Sequence, residues 1–208
     1  MKILVIDDHA ILRKGILSIL KKEFKDSIYF EASNGIEALS ILRNIEMDLI
    51  VSDIAMPNLN GIDFLKQLKA MEIKSPVLIL SVMPEDQYAL RALKAGAVGF
   101  LPKDCKAKEL LKAVKTILSG KKHITPAISN LMINSIGVKQ INNQHELLSD
   151  REIMVLHNIA QGHSLTDISE NLGLSINTVS TYRARIIKKL NLKNNASIIR
   201  YALDNDLG

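Results

Sequence analysis

The sequence is poor in the features that stabilise or anchor proteins outside the cell. It has one cysteine, Cys105, and no tryptophan, and only 4% of its residues are aromatic. A single cysteine cannot form an intramolecular disulfide, which excludes the disulfide-rich secreted classes. The longest apolar runs, such as Val77 to Leu80, are far shorter than the roughly 18 residues of a membrane span. Asp7 and Asp8 interrupt the first apolar run too early for a signal peptide. We therefore expect a cytoplasmic protein with no membrane role.

The chain does contain enough apolar residues to form real cores. Its 208 residues are 47% hydrophobic and 24% charged, a balance that excludes a disordered or fibrous chain and allows one large or two small domains. The net charge of +5 is unevenly spread, because residues 171–195 contain no acid. Five cations lie there, namely Arg183, Arg185, Lys188, Lys189 and Lys193. Such a cluster suits a polyphosphate backbone, although a solvated helix face is the simpler alternative.

Residues 1–119 alternate short apolar runs with amphipathic stretches, five times over. The predicted strands are Lys2 to Ile6, Ser27 to Ala32, Leu49 to Ser52, Pro76 to Ser81 and Gly99 to Leu101. The predicted helices are Ala10 to Glu23, Gly35 to Asn44, Gly61 to Ala70, Glu85 to Ala95 and Lys106 to Ser119. This alternation predicts an α/β fold, a (βα)5 flavodoxin-like doubly wound parallel sheet.

The pattern changes after residue 119. Residues 120–145 contain no acid and end in a polar Gln/Asn cluster, which indicates a linker with room for a short helix after Pro126. Residues 146–208 predict a small all-α domain whose four helices are Asp150 to Gln161, Ser164 to Leu172, Ile176 to Leu190 and Asn195 to Asn205. Ser149 and Ser175 are placed to cap helices, and Gly162 and Gly173 to end them.

Five polar residues follow the predicted strands at what should be one edge of the sheet. Asp7 and Asp8 follow the first strand, Asp53 follows the third, and Ser81 and Lys103 come at the ends of the fourth and fifth. Three converging carboxylates repel one another, and Mg²⁺ would relieve that repulsion. A hydroxyl and an ammonium group beside them suit the oxygens of a phosphoryl group. The sequence therefore predicts a site for a metal and a phosphoryl group.

The motifs ILVIDDH, SDIAMPNLNG, ILSV and KAGAVGFLPK resemble those of the receiver domain of bacterial two-component response regulators. The resemblance implies that Asp53 accepts a phosphoryl group from a sensor histidine kinase. It implies that Asp7, Asp8, Asp53 and the Ala55 carbonyl bind Mg²⁺, with Asp7 acting mostly through water. It further implies that Ser81 and Lys103 hold the phosphoryl oxygens and that Phe100 turns inward with Ser81. Asp104 follows Lys103 where many receivers have proline, so no cis peptide is expected there.

Residues 164–190 have the parts of a helix-turn-helix, whose second helix enters the major groove of DNA. Val179, Tyr182, Ile186 and Leu190 recur at helical spacing and predict the buried face. The other faces hold the candidate DNA contacts, which are Thr178, Ser180, Thr181, Arg183, Ala184, Arg185 and Lys188. Small polar and methyl groups at several of these positions offer few bidentate base contacts.

The stretches LLSDREIMVLHNIAQG and ISENLGLSINTVSTYRARIIKKL resemble the LuxR-type helix-turn-helix of the NarL/FixJ response regulators. Departures are Ser169 for alanine, Tyr182 for histidine, and Ala184 at a position that is basic in some relatives. The resemblance implies a phosphorylation-controlled transcription regulator that binds promoter DNA as a homodimer, pairing through the last helix. That helix carries Ile198, Ile199, Ala202 and Leu203, which could equally pack within their own domain.

Two alternatives come from other functional classes. An aspartyl-phosphate phosphohydrolase like the haloacid dehalogenases would carry a second Asp two residues after the nucleophile, where this chain has Ala55. A protein-interaction module that uses neither phosphate nor DNA would not need the acidic site or the basic helix. We therefore expect a regulator rather than an enzyme.

Overall fold

The computed structural model describes residues 1–137, 144–205 and 207. Contacts divide the chain into two compact units, Met1–Ile136 and Gly137–Gly208. The division lies inside the predicted linker 120–145, and the first unit extends past residue 119. Within the described part of the chain, no helix is long and apolar enough to cross a membrane.

The first unit is built on a five-stranded parallel sheet. Its strands are β1 (Lys2–Ile6), β2 (Ile28–Ala32), β3 (Leu49–Ser52), β4 (Val77–Ser81) and β5 (Gly99–Pro102). The strand order is β2-β1-β3-β4-β5, so the order reverses between β1 and β3 and ligands are expected beside the carboxyl ends of those strands. β3 and β4 are buried along their whole length, as parallel strands covered on both faces must be. The predicted doubly wound sheet is confirmed.

Five helices cover the two faces of this sheet. They are α1 (Ala10–Glu23), α2 (Gly35–Leu42), α3 (Gly61–Ala70), α4 (Glu85–Ala95) and α5 (Ala107–Leu118). One core joins α1 and α5 to alternate residues of the strands, including Ile3, Val5 and Val51. On the other face, Asn34 and Asn60 cap α2 and α3 by accepting hydrogen bonds from backbone N–H groups of the first turn. The caps fix where the chain turns after β2 and β3.

The chain returns to the sheet after α5. The backbone N–H of His123 donates a hydrogen bond of 2.8 Å to the carbonyl of Val98, and His123 forms an isolated parallel bridge with Gly99 in β5. A Cβ atom at position 99 would lie only 3.1 Å from the His123 Cβ, so this close approach favours glycine. The Thr125 hydroxyl donates to Glu85 at 2.7 Å, and the next helix, α6 (Pro126–Gly137), buries Ile128 completely.

The second unit contains helices only, as far as the structure describes it. A 3-10 turn at Gln144–Leu147 precedes α7 (Asp150–Ala160), α8 (Leu165–Leu172), α9 (Ile176–Lys189) and α10 (Asn195–Asp204). The predicted caps are confirmed, since the hydroxyls of Ser149 and Ser175 accept hydrogen bonds from the first turns of α7 and α9. Gly173 ends α8 with φ of 60°, the left-handed conformation that glycine adopts most easily. α8, the short turn and α9 form a helix-turn-helix.

Candidate functional site

The acidic residues that follow β1 and β3 meet at one edge of the sheet. One side-chain oxygen from each of Asp7, Asp8 and Asp53 and one ring nitrogen of His9 all lie within 4.8 Å of one another. The backbone N–H of Asp53 donates to the carbonyl of Ile6 at 2.9 Å, which holds the ends of the two strands in register. This cluster of acidic residues could bind a metal ion.

Lys103 neutralises the two buried members of the cluster. Its Nζ lies 2.8 Å from Asp7 Oδ2 and 2.8 Å from Asp53 Oδ2, and its side chain is only 5% exposed. The backbone places it there, because Lys103 follows β5 directly and its N–H donates to the carbonyl of Ser81 at 2.9 Å. Burial alone would lower the pKa of Lys103, but the two carboxylates outweigh burial and raise that pKa. Lys103 therefore remains a cation at this site.

Asp53 is almost completely buried, with 2% of its surface exposed. Burial raises the pKa of its carboxyl group above the ordinary aspartate value, and the charge and hydrogen bond of Lys103 oppose that rise. The backbone N–H of Ile54 donates to Asp53 Oδ1 at 2.6 Å. Both oxygens are thus oriented, one by a backbone donor and the other by Lys103.

The loop between β3 and α3 folds back tightly over Asp53. A Cβ atom at position 61 would lie 2.3 Å from the backbone oxygen of Asp53, so only glycine allows this approach. The Gly61 N–H donates to the carbonyl of Ile54 at 2.9 Å, and Asn60 is fully buried at the start of α3. Ala55 lies within this loop and is partly exposed. The loop is therefore packed directly against the backbone of Asp53.

Ser81 and Phe100 come from neighbouring strands at the same side of the sheet. Both are fully buried, and Phe100 pairs with Ile79 in the β4–β5 register. The Ser81 hydroxyl oxygen accepts a hydrogen bond from the backbone N–H of Met83 at 3.2 Å. In this structure Phe100 is buried while Ser81 bonds its own loop, and a coupled movement of the two residues stays a prediction.

His9 is a member of the cluster that sequence reasoning missed. Its Nδ1 lies 2.8 Å from Asp8 Oδ1 and its side chain is 65% exposed. The histidines show no zinc-ligand spacing in the sequence, which gave no reason to single one out. The signal that could have identified it is its place directly after Asp7 and Asp8, the two aspartates that follow β1.

One face of α9 forms a second candidate site. Its exposed members are Asn177, Thr181, Ala184, Arg185 and Lys188, spaced at i, i+4, i+7, i+8 and i+11. We call these five residues the exposed stripe. Val179, Ile186 and Leu190 are buried on the opposite side, as the sequence predicted, whereas Tyr182, which was predicted with them, is only partly buried. Asn177 was missed by the sequence analysis, although its helical spacing from Thr181 could have found it.

Three other predicted contacts lie beside the exposed stripe rather than in it. Thr178, Ser180 and Arg183 are all partly buried. The Thr178 Oγ1 lies 2.8 Å from the Ser175 hydroxyl, inside the cap of α9. Their side chains reach the surface only along its flanks.

The basic residues of this unit have different surroundings. Lys189 forms hydrogen bonds within its own unit. Its Nζ lies 2.7 Å from a carboxylate oxygen of Glu152 and 3.0 Å from the Leu147 carbonyl oxygen. The Arg185 guanidinium lies over the Tyr182 ring at 5.9 Å from its centre. Within the described ranges, Arg185 and Lys188 form no ion pair. The charge cluster therefore contains both structural and free cations.

The buried side chains of the last helix, α10, pack within its own unit. Ile198 and Ala202 are fully buried, whereas Leu203 is 64% exposed. Only the outer side of α10, with Leu203 and the partly exposed Ile199, is open to a partner.

Both units match known families. Residues 3–115 match the response regulator receiver domain, and residues 146–202 match the LuxR family of bacterial regulatory proteins. BvgA of Bordetella pertussis is 34% identical over 206 residues, which cover 99% of this chain and 98% of that protein. The response regulator GacA of Pseudomonas aeruginosa is 30% identical over 204 residues, covering 98% and 95%.

A solved structure agrees with these matches. The two-component response regulator of the LuxR family from Aurantimonas sp. SI85-9A1 has a TM-score of 0.60 and 27% sequence identity, over 65% of this chain and 96% of that chain. The two family matches and the full-length relatives give one conclusion. The chain belongs to the two-component response regulators of the NarL/FixJ type, in which a receiver domain is followed by a LuxR-type helix-turn-helix domain.

Proposed function

We propose that this chain is a transcription regulator controlled by phosphorylation of Asp53. A sensor histidine kinase supplies the phosphoryl group, and the phosphorylated chain binds promoter DNA as a homodimer through residues 146–208. The observation that carries the proposal is the position of Asp53, buried between a backbone donor and the Lys103 ammonium at the carboxyl edge of the sheet. The cytoplasm is then its place of action, because bacterial DNA lies there.

The donor set suits Mg²⁺. Asp7, Asp8 and Asp53 offer hard carboxylate oxygens within a few ångströms of one another, which is the chemistry that Mg²⁺ prefers. These three residues and the Ala55 carbonyl would hold the ion. When bound, the ion neutralises negative charge on the phosphoryl oxygens.

Asp53 would act as the nucleophile. One carboxylate oxygen bonds to phosphorus as the bond from phosphorus to the kinase histidine nitrogen breaks, and the histidine keeps that electron pair. The contribution of the protein is positioning and electrostatics, since Ile54 and Lys103 already orient the two oxygens. The product is an acyl phosphate beside the Lys103 cation.

Ser81 would transmit the change. Its hydroxyl oxygen accepts a hydrogen bond from the Met83 N–H in the structure, and a phosphoryl group on Asp53 would offer a charged acceptor to the hydroxyl proton. If the Ser81 hydroxyl broke its bond to the Met83 N–H, the loop after β4 would rearrange. This loop lies next to α4 and to the Phe100 ring in β5. A local charge change would thus alter the surface formed by α4 and β5.

The exposed stripe would enter the major groove. A helix fits the width of this groove, and the free cations on α9 suit DNA phosphates. Pairing of two chains would use the outer side of α10, where Leu203 is exposed. The phosphohydrolase alternative has less support, because the Ala55 methyl group cannot act as an acid or base.

Replacement of Asp53 tests the proposal directly. The full chain would be incubated with acetyl phosphate and Mg²⁺ and analysed by intact-protein mass spectrometry. Wild type should gain a phosphoryl group, and Asp53→Asn should gain none while it unfolds at a similar temperature. Asp104→Asn is the matched control, because Asp104 is an exposed acid beside Lys103 but outside the cluster. An acid-labile phosphoryl group on Asp53→Asn would refute the assignment.

A further inference from the structure

Thr181 and Ala184 give the centre of the exposed stripe an apolar character. The Thr181 hydroxyl donates its only proton to the Asn177 carbonyl at 2.9 Å, within α9 itself. The Thr181 hydroxyl therefore has no proton left to donate to a base, although its oxygen can still accept a hydrogen bond. The apolar groups of these two exposed residues are the Thr181 methyl and the Ala184 methyl. Residues three apart on a helix have Cβ atoms about 5–6 Å from each other. The two methyl groups therefore form one small apolar patch, which we call the methyl pair.

The surroundings of the methyl pair are those of a nucleic-acid contact rather than a protein core. Arg185 and Lys188 lie beside it as exposed cations, without an acidic partner among the described residues. The Arg185 guanidinium lies over the Tyr182 ring. This cation–π contact favours a position of the guanidinium away from the methyl pair. Electrostatic attraction by these cations would bring a phosphate backbone close to the pair.

The major groove presents one apolar group, the C5 methyl of thymine. Other base edges in this groove present hydrogen-bond donors or acceptors, which a methyl group cannot satisfy. We propose that the methyl pair reads thymine methyl groups, so that each half-site carries adjacent thymines opposite Thr181 and Ala184. The inference rests on the proposed DNA-binding function and identifies the chemistry that the α9 face recognises.

The first test removes single methyl groups from the DNA. Preferred sites would be selected from a random library with the full chain, in the presence of acetyl phosphate and Mg²⁺. Each thymine of the site would then be replaced by uracil, which keeps every hydrogen-bonding group and lacks only the methyl. At the positions facing the methyl pair, we expect binding to weaken about fourfold for each methyl group. Selected sites without adjacent thymines, or sites insensitive to uracil, would overturn the inference.

The second test separates the two branches of the Thr181 side chain. Thr181→Val keeps a methyl group and loses the hydroxyl, so it should retain affinity and sensitivity to uracil. Thr181→Ser keeps the hydroxyl and loses the methyl, so it should bind about fourfold more weakly and no longer respond to uracil at one position. The reverse result, with Thr181→Val weak and Thr181→Ser unchanged, would make the hydroxyl the reader and overturn the inference.

Binding to an unrelated DNA sequence at low salt is the control for both tests. Both variants should bind it as wild type does, because phosphate contacts do not depend on the methyl pair. If the full chain bound no DNA of any sequence, the proposed function itself would fail and this inference with it. If non-specific binding were intact and the uracil effect absent, only the inference would fail.

Discussion

Ala55 and Met83 place apolar side chains at two positions close in sequence to the reactive groups. Ala55 comes two residues after Asp53, and the buried Met83 donates its N–H to Ser81. Hydrolysis of an acyl phosphate needs a water molecule held in line with the bond that breaks, and neither side chain can hold one by a hydrogen bond of ordinary strength. The phosphorylated state should therefore be long-lived without a partner phosphatase.

The variant Ala55→Asn with Met83→Glu should lose its phosphoryl group faster, on the order of tenfold, or about 1.4 kcal/mol of activation free energy. The rate would be measured on purified protein after removal of the phosphodonor. Val82→Glu is a suitable control, because Val82 is the neighbouring residue but is 70% exposed. Equal decay of wild type and the double variant would show that these side chains do not control the water.

The clustering of the acidic residues and Lys103 could be predicted because of where they fall in the sequence. Asp7, Asp53 and Lys103 each follow a strand, and parallel strands bring their carboxyl ends to one edge. The hydrogen bonds that a side chain makes within the protein could not be predicted in this way, since they depend on side-chain conformation. Nothing in the sequence indicates that Thr181 bonds the Asn177 carbonyl, or that Lys189 bonds Glu152 and is thereby withdrawn from the free cations.

At the scale of elements, one side chain joins the start of α7 to the end of α9. Glu152 accepts a hydrogen bond from the Ser149 N–H at 2.7 Å, completing a capping box, and pairs with Lys189. Lys189→Met would leave Glu152, only 3% exposed, without its cation. Because Lys189 is itself partly exposed, we expect a loss of about 1–2 kcal/mol in the free energy of opening this unit.

Hydrogen exchange of the α7 and α9 amides would measure that loss in the full chain. Lys188→Met is the control, since Lys188 is the adjacent exposed lysine and makes no ion pair with the described residues. A comparable loss of protection in both variants would show that the effect is one of helix propensity and not of the pair.

The same pair predicts a pH dependence. Burial raises the pKa of Glu152, but the hydrogen bonds from Lys189 and Ser149 outweigh burial and lower it below the ordinary 4.5. The unfolded chain therefore binds the proton more tightly, so the stabilisation is fully present above pH 4.5 and is lost as the pH falls through the lower folded pKa. The difference between wild type and Lys189→Met should shrink over that acidic range, and a constant difference would contradict the assignment.

The order of elements could be predicted better than their ends. β2 begins at Ile28 rather than Ser27, and α2 ends at Leu42 rather than Asn44, as expected where capping residues are only half helical or half extended. The contact of His123 with β5 could not be predicted at all. A single bridged residue has no periodicity, and it forms only because α5 returns the chain to the edge of the sheet.

For the whole molecule, the distribution of charge predicts a steep salt dependence of DNA binding. Lys189 is paired, whereas four cations of this segment form no ion pair with the described residues: Arg183, Arg185, Lys188 and Lys193. About four phosphate contacts per chain, or eight per dimer, imply a slope near −7 for the logarithm of the binding constant against that of the salt concentration. The slope would be measured by fluorescence anisotropy with a selected DNA site.

Two lysine variants make this measurement specific. Lys188→Met should reduce the magnitude of the slope by about 2, because each dimer loses two phosphate contacts. Lys189→Met should leave it unchanged, since Lys189 bonds Glu152 and Leu147 in the folded protein. A wild-type slope near −1 would exclude the basic helix from the DNA interface.

The bridge between His123 and Gly99 also bears on how the molecule avoids aggregation. β5 is the last strand of the sheet, and an uncovered edge strand can pair with the same strand of a second molecule. Pro102 lacks an N–H group and His123 occupies the position beside Gly99, so both ends of β5 are blocked. A fragment cut at Ser119 would lose this cover and expose the edge to other chains, whereas a fragment that continues to Ile136 would keep it.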